Sequence, residues 1–304
     1  MEFILKTNSL TKNYKNFKAL DNLTMSVPKG SIYGFIGRNG AGKTTLIRII
    51  CGIQTPTDGE FSLYGVNSKD NNISASRRRI GSVIETCALY PDMTAEANLK
   101  QQYRILGIPD NNGIRELLEL VGLKNTGKKK ARQFSLGMRQ RLGIAIALCG
   151  DPDFLVLDEP INGLDPEGII EIRELILKLN REKNITVLIS SHYLDELSKI
   201  ATHYGFISNG KIVREMSAEE LEASCRKSMR LNVTDTSALA RVLDDMGISY
   251  QIYDGNHADI YATPAITQLA LALNKENCEI ISAEEHNESL ESFYISLIGG
   301  GENE

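Results

Sequence analysis

The sequence predicts an α/β fold with a central parallel sheet, followed by a small α+β module at the end of the chain. A buried strand over Ser31–Ile36 leads through a glycine-rich turn into a helix over Thr45–Ile50. Two further apolar runs, Phe154–Leu157 and Asn184–Ser191, are followed by polar side chains, as expected at the carboxyl edge of a parallel sheet. After Met216, short strands and helices follow one another in the order β-α-β-β-α-β.

Length and composition are those of a globular protein. The 304 residues allow one large domain and a smaller one, and 42% hydrophobic with 24% charged residues can form a sizeable core. A net charge of −5 gives no electrostatic reason to expect a nucleic-acid partner. No signal peptide opens the chain, Met1–Lys6 has the pattern of a first strand, and no run of eighteen apolar residues occurs. We therefore expect no direct membrane span.

The cysteines are scattered, with no C-x-x-C pair and no histidine at ligand spacing. This pattern favours buried small hydrophobes in a reducing cytosol over a metal site or a disulfide framework. The five positions are Cys51, Cys87, Cys149, Cys225 and Cys278.

The turn after the first buried strand fits the phosphate-loop pattern G-x-x-x-x-G-K-[ST] at every required position. Glycines let the backbone approach an anion, Lys43 can place its charge between the β- and γ-phosphates, and the Thr44 hydroxyl can ligate Mg²⁺. A turn that only caps a helix needs neither of these side chains, so the motif predicts a nucleotide site. The loop consists of Gly37, Arg38, Asn39, Gly40, Ala41, Gly42, Lys43 and Thr44.

The segments around this loop alternate between strands and turns. Ala19–Val27 and Gly59–Gly65 have strand patterns, and the basic run Arg77–Arg79 is most simply a solvated helix end before a strand over Ile80–Glu85. Tyr14 falls in a polar loop, where its ring can stack on a purine. From the residues alone, a partly exposed anchor is the simpler interpretation of Tyr14.

The middle of the chain is predominantly helical. The pattern is helical from Thr94 to about Leu123, and a buried small-residue helix is predicted over Leu142–Cys149. Ser135 is a good N-cap for the helix that follows it. Another helix is predicted to begin around Pro166.

Three polar side chains follow the buried strands of the predicted sheet. Asp158 and Glu159 come directly after Phe154–Leu157, at the edge where α/β sheets place their ligands. They fit a helix N-terminus poorly because Pro160 follows both. His192 lies at the same edge, which favours a functional role over that of an ordinary surface histidine.

Taken in this order, the motifs resemble the ATP-binding subunit of an ABC transporter over about residues 3 to 215. The resemblance implies a phosphate-loop NTPase domain with a RecA-like core over residues 1–216, with a helical lobe at about 87–150. Residues 217–304 then form a small ferredoxin-like accessory domain. ATP and Mg²⁺ are the implied cofactors.

The resemblance also assigns site residues. It implies that Asp158 holds Mg²⁺ through water, that Glu159 polarises the attacking water, and that His192 contacts the γ-phosphate, so that Glu159 and His192 are catalytic. Tyr14 falls where the family stacks adenine, which reverses the simpler interpretation given above. The implied nucleotide-binding residues are Tyr14, Gly37, Arg38, Asn39, Gly40, Ala41, Gly42, Lys43, Thr44, Thr45, Ser135, Gly137 and Asp165, and the implied metal ligands are Thr44, Glu85 and Asp158.

The segment Phe134–Met138 corresponds to the family's signature sequence. Its hydroxyl and glycine N–H at a helix N-terminus form a second phosphate site. Two anion sites separated by a helical lobe cannot easily share one γ-phosphate within a single subunit. The family solves this with a head-to-tail dimer, so we expect a second ATP-binding subunit, here in a homodimer with two ATP sites.

Three residues depart from the usual family pattern. Leu136 and Met138 replace the usual Gly and Gln of the signature, and Glu85 replaces the usual Gln of the Q-loop. This combination resembles the bacitracin and lantibiotic self-protection branch. Because a carboxylate binds a hard cation more strongly than an amide oxygen does, we hypothesise that Glu85 keeps the metal contact.

The resemblance implies a subunit at the cytoplasmic face of the membrane that drives an integral-membrane permease, exporting a peptide antibiotic for resistance or immunity. A transporter for another cargo, such as a lipid, ion or drug, remains an alternative. A soluble ABC ATPase acting on DNA or ribosomes is a further one. Against it, the stretch between Glu85 and Ser135 has no heptads, and the chain carries a single cassette.

The terminal domain carries no motif, and either a regulatory or substrate-sensing role or a packing or dimer-bracing role is open to it. Residues 299–304 are expected to be disordered. The predicted strands are Met229–Val233, Tyr250–Tyr253, Asp259–Ala262 and Cys278–Ser282, and the predicted helices are Ser237–Met246, Ala265–Leu273 and Ser289–Ile298.

Overall fold

The computed structural model describes residues 2–109, 112–224, 227–261, 265–287 and 290–299. The chain divides into two compact units, Met1–Ala218 and Glu219–Glu304. The elements of the first unit are β1 (Phe3–Tyr14), β2 (Phe17–Pro28), β3 (Ile32–Ile36), α1 (Lys43–Ile50), β4 (Asp58–Leu63), β5 (Val66–Asn67), α2 (Ile73–Arg77), β6 (Ile80–Val83), α3 (Ala95–Leu106), α4 (Ile114–Leu120), α5 (Leu136–Leu148), β7 (Phe154–Asp158), α6 (Pro166–Lys183), β8 (Thr186–Ser191), α7 (Leu194–Ser198), β9 (His203–Ser208) and β10 (Lys211–Ser217).

The larger sheet of the first unit has the strand order β10-β9-β3-β8-β7-β6. All neighbours from β9 to β6 are parallel, and β10 adds an antiparallel edge. Every residue of β3, β7 and β8 is buried, as their continuous apolar runs predict. The carboxyl ends of β3, β8, β7 and β6 therefore lie side by side, and all the predicted groups of the sheet edge meet there.

A second, antiparallel sheet with the order β2-β1-β4-β5 shares a core with α1. Leu5 of β1, Ile47 of α1 and the sheet residues Phe35 and Phe154 belong to one hydrophobic cluster, and each is fully buried. The helix that follows the glycine-rich loop is thus fixed by packing on both sheets.

The start of the chain differs from the predicted pattern. Strand β1 extends to Tyr14, which pairs with Phe17 across a tight hairpin, so Tyr14 ends a strand rather than lying in a loop. Irregular register interrupts the β1–β2 pairing at several positions, and Ser9 has a positive φ of 49°. Such bulges break the two-residue alternation by which a strand is recognised in a sequence.

The helical pattern over Thr94–Leu123 forms two helices, not one. Thr94 caps α3 by accepting a hydrogen bond from the N–H of Ala97. The helix ends at Gly107, whose φ of 71° is left-handed, and Pro109 follows shortly after. A left-handed glycine followed by proline stops a helix, and this signal outweighs the apolar periodicity on either side.

Two of the three arginines in the run Arg77–Arg79 are exposed, namely Arg78 and Arg79. Arg77 donates hydrogen bonds to the carbonyl oxygens of the last turn of α1. Arg79 pairs with Asp153, and its guanidinium lies over the ring of Tyr64. The prediction of a solvated helix end was wrong for Arg77, because its partners lie far away in the sequence.

The second unit has the predicted β-α-β-β-α-β order, which is thereby confirmed. Its antiparallel sheet has the order β12-β13-β11-β14. Ala262, Ser289 and residues 300–304, on which parts of the predicted elements and the expected disorder fall, lie outside the described residues. The elements are α8 (Ala218–Ser224), which begins at the last residue of the first unit, β11 (Lys227–Val233), α9 (Thr236–Asp245), β12 (Tyr250–Ile252), β13 (His257–Ile260), α10 (Ile266–Lys275), β14 (Ile280–Asn287) and α11 (Leu290–Gly299).

Candidate nucleotide-binding site

The glycine-rich loop connects the end of β3 to the start of α1. Gly42 has a φ of 113°, and a Cβ there would lie 2.5 Å from the carbonyl oxygen of Ala19. A Cβ at Gly37 would lie 2.7 Å from the carbonyl oxygen of Ile207. No side chain fits at either position, so the loop packs closely against the adjoining backbone. Helix α1 has no side-chain cap, and the positive end of its dipole faces this loop.

A cavity of about 210 Å³ lies against the loop. It brings most of the predicted loop residues together with one of the two acids from the end of β7. The residues that line it are Phe17, Ala19, Arg38, Asn39, Gly40, Gly42, Lys43, Thr44, Thr45 and Glu159.

Lys43 is buried, and its ammonium group is directed back over the loop. It donates hydrogen bonds to the carbonyl oxygens of Gly37 and Arg38. Its Nζ also lies 3.2 Å from Oε1 of Glu159. A buried ammonium held by the loop and one carboxylate is well placed to exchange that carboxylate for a phosphate.

Thr44 and Asp158 connect α1 with the end of β7. The Thr44 hydroxyl donates to Oδ2 of Asp158 at 2.8 Å. Asp158 is only 1% exposed, and its other oxygen accepts a hydrogen bond from the Ser190 hydroxyl of the neighbouring strand β8. The sheet and α1 thus fix this carboxylate from two sides.

Glu159 has a conformation that is unusual for a side chain of its kind. Its φ is 51°, a left-handed value that costs on the order of 1–2 kcal/mol in a residue other than glycine. Its N–H donates to the backbone oxygen and the hydroxyl of Ser190, which hold it in this conformation. Oε2 lies 2.8 Å from Nδ1 of His192, whereas the buried Oε1 makes no hydrogen bond. Oε1 has the ion pair with Lys43 as its contact. Backbone strain at a carboxylate residue that lines a cavity is typical of a reactive site.

The donor atoms at this edge fit a magnesium ion. Mg²⁺ prefers hard oxygen ligands and is commonly held by one or two carboxylates together with the phosphates of a substrate. The Thr44 hydroxyl and the Asp158 carboxylate supply such oxygens in direct contact. Oε1 of Glu159, which is ion-paired with Lys43 but accepts no hydrogen bond, offers a further acceptor for a water molecule.

Glu85 lies at the same sheet edge, just past the end of β6. Strands β6 and β7 run parallel with Val83 opposite Leu157, which brings the following residues of both strands to one level. The Glu85 carboxylate accepts a hydrogen bond from Nη2 of Arg48 at 2.6 Å, and its side chain is 55% exposed.

The signature residues do not line the cavity of the glycine-rich loop. Ser135 caps α5 by accepting a hydrogen bond from the N–H of Met138 at 3.2 Å. A Cβ on Gly137 would lie 3.8 Å from Leu164, so this helix terminus packs against the segment that precedes α6. Asp165 caps α6 by accepting from the N–H of Gly168 at 3.2 Å.

The site also contains Phe17 and Ser190, which the sequence patterns did not predict. Phe17 is 58% exposed and lines the cavity. The predicted ring, Tyr14, is not among the lining residues. Its hydroxyl donates a hydrogen bond to Gln54, and the ammonium group of Lys12 lies 5.3 Å from its ring centre. An apolar ring in a polar hairpin was the available signal for Phe17. Ser190 binds both acids of the edge, and its place at the end of a buried strand just before His192 was the signal.

No cysteine within the described residues lines the cavity of the glycine-rich loop. Burial raises the pKa of Cys51 and Cys87 to about 11 and that of Cys149 to about 12. Cys278 is buried, and Cys225 lies outside the described residues. Within the described ranges, none of the helices has the length and apolar character needed to cross a membrane.

The fold and this site define a phosphate-loop nucleoside triphosphatase, and comparison with known proteins narrows the class. The family model described as ABC transporter matches residues 20–162. The bacitracin transport ATP-binding protein BcrA of Bacillus licheniformis is 42% identical over 99% of both chains, and BcrA of Enterococcus faecalis is 37% identical over 99% of this chain and 98% of its own. The lantibiotic transport ATP-binding protein SrtF of Streptococcus pyogenes is 44% identical over 70% of this chain and 90% of its own.

Solved structures agree with these relatives. The ATP-binding cassette MJ0796, in a dimeric post-hydrolysis state bound to ADP and Pi, superposes with a TM-score of 0.63 at 26% identity, covering 70% of this chain and 98% of its own. The cassette MJ1267 in its ADP conformation gives a TM-score of 0.65 at 30% identity, over 72% and 92% of the two chains. The chain belongs to the ABC transporter family, as an ATP-binding subunit that hydrolyses ATP. The predicted family, fold class and enzymatic activity are confirmed.

Proposed function

We propose that the chain hydrolyses Mg²⁺-bound ATP at the edge formed by the glycine-rich loop and the ends of β7 and β8. The observation that carries this proposal is Glu159, whose left-handed backbone places its carboxylate at the cavity, with Oε1 beside Lys43 and Oε2 beside His192. Thr44 and Asp158 would hold the metal ion. When bound, that ion supplies charge that offsets the phosphate oxygens and polarises them.

The remaining steps belong to the chain's own side chains. Lys43 exchanges Glu159 for phosphate oxygens, because a triphosphate carries more negative charge than one carboxylate. Glu159 then accepts a hydrogen bond from the attacking water and receives its proton at Oε1, while His192 fixes the other oxygen. Most of the rate enhancement is positioning and charge stabilisation, as in phosphoryl transfer generally.

For the adenine base we propose two aromatic faces. Tyr14 remains the ring that the family pattern assigns. Phe17 adds a second ring, supported by its exposure and its place in the cavity lining. An exposed aromatic ring beside a phosphate site can stack on a purine because every base presents a π-face.

We also propose that Ser135 and Gly137 complete the site of a second subunit. Their helix terminus binds anions by its dipole, hydroxyl and N–H groups, yet it packs on the segment before α6 and not on the cavity. The dimeric state described for MJ0796 supports a paired arrangement. Asp165, beside that contact, is the further residue that we place at the shared site.

The partner that this cycle drives is proposed to be an integral-membrane permease, which holds the subunit at the cytoplasmic face of the membrane. The proposed cargo is a bacitracin-type peptide antibiotic, exported for resistance. Coverage favours this cargo over a lantibiotic, because both BcrA relatives match 99% of the chain, including its second unit, whereas SrtF matches 70%.

The proposal is tested by expressing the chain in a sensitive bacterium together with the permease that an adjacent reading frame encodes. We expect the inhibitory concentration of bacitracin to rise, and Glu159→Gln to abolish the rise. A rise for a lantibiotic alone would contradict the cargo. Failure of the chain to copurify with any membrane protein from a detergent extract would favour a soluble ATPase.

A further inference from the structure

Helix α1 makes two polar contacts with the sheet edge, one helical turn apart. Thr44 and Arg48 are four residues apart and so lie on the same face of α1. Thr44 donates to Asp158 after β7, and Arg48 donates to Glu85 after β6. Because β6 and β7 are parallel neighbours, the two contacts lie side by side and connect one helix with one sheet edge.

The contact between Arg48 and Glu85 offsets one negative charge at the edge where a triphosphate must bind. Asp158, Glu159 and Glu85 are three carboxylates at this edge, and each repels a polyanion unless a cation offsets it. Lys43 lies 3.2 Å from Glu159, and Arg48 lies 2.6 Å from Glu85. The Arg48 contact joins a charged donor to a charged acceptor, and both side chains are partly exposed to solvent.

Backbone geometry also requires an anchor at Glu85. Its φ of 58° is left-handed, a conformation that is unfavourable for a residue other than glycine and that surrounding contacts must stabilise. Arg48 is itself fixed, since its carbonyl oxygen accepts hydrogen bonds from the N–H groups of Ile53 and Gln54 in the turn that ends α1. These contacts fix the backbone of Arg48, and the side chain reaches the Glu85 carboxylate from this fixed point.

We propose that Arg48 is a positioning residue for Glu85. It holds the Glu85 carboxylate at the sheet edge that carries the proposed Mg²⁺ ligands Thr44 and Asp158, and it offsets the negative charge that would otherwise repel the triphosphate of ATP. The inference rests on the proposed Mg²⁺–ATP site. It assigns no contact between Arg48 and the reacting atoms.

A double-mutant cycle tests this role through ATP affinity. The dissociation constant of ATP is measured by calorimetry, with EDTA and with Mg²⁺, for Arg48→Gln, Glu85→Gln and the double variant. In EDTA we expect Arg48→Gln to weaken ATP binding about threefold to fivefold, the upper range for an exposed ion pair. With Mg²⁺ the loss is smaller, because the metal offsets the uncovered carboxylate. The double variant returns to within about twofold of the original chain, since both charges are removed.

Arg79→Gln is the matched control, because it removes an exposed arginine–aspartate pair just before the amino end of β6. The inference would be overturned if Arg48→Gln caused an equal loss with and without the Glu85→Gln substitution, no loss at all, or the same loss as the control. If the unsubstituted chain and the control both fail to bind ATP, the proposed site itself fails. If they bind it and the cycle shows no coupling, only the role of Arg48 fails.

Discussion

The edge around the glycine-rich loop and the signature terminus of α5 are both suited to phosphate, yet the chain organises them differently. At the loop edge, Lys43, Glu159 and His192 are joined by direct contacts. At the signature terminus, Ser135 serves its own helix and Gly137 packs against the segment before α6. One chain therefore assembles the groups for binding and water activation at the loop edge, while its second anion-binding feature lies outside that cavity.

Glu159→Gln should produce the largest effect, because it removes the base and keeps the shape of the side chain. We expect hydrolysis to fall at least about 100-fold, the usual minimum for loss of a general base, with ATP affinity retained. Phosphate release and nucleotide binding are measured on the same samples. Glu182→Gln, on the exposed end of α6, is the control and should leave both unchanged. An unchanged hydrolysis rate in Glu159→Gln would show that Glu159 is not the base for ATP hydrolysis.

Gly137→Asp tests the role of the signature terminus of α5. A carboxylate at the signature terminus repels phosphate, so hydrolysis by the assembled transporter should fall about tenfold or more. ATP binding to the single chain should not change, because Gly137 does not line the cavity. Gly150→Asp, at an exposed glycine where a Cβ would make only ordinary contact, controls for the added charge. If Gly137→Asp weakened ATP binding to the single chain, the glycine-rich loop and the signature terminus would belong to one site within the same chain.

Phe17→Ala should give a smaller change, confined to the base. Loss of one stacking face costs about 1 kcal/mol, so ATP affinity should weaken about fivefold while competition by inorganic tripolyphosphate stays the same. Tyr14→Ala in parallel shows which ring dominates. Equal losses for ATP and tripolyphosphate would mean that Phe17 acts on the phosphate loop and not on adenine.

Local chemistry explains which of these features could be predicted from the sequence. The phosphate loop and the acids after β7 are predictable because a few adjacent residues carry the whole physical requirement. Phe17 and the Arg48–Glu85 pair depend on where a hairpin folds and which strands are neighbours. The bulged strand β1 and the break at Gly107 show the same limit, since irregular register and a helix stop override simple periodicity.

The central claim, that each ATP site takes its loop from one chain and its signature from another, is tested most directly by mixing two variants. In a Glu159→Gln background, which should trap ATP, chains with Lys43→Met are mixed with chains that carry Gly137→Asp. Neither alone should form an ATP-dependent dimer. The mixture should form one that retains a single ATP per pair of chains, because one of its sites combines an intact loop with an intact signature. No dimer in the mixture, or ATP trapped by either variant alone, would contradict the account.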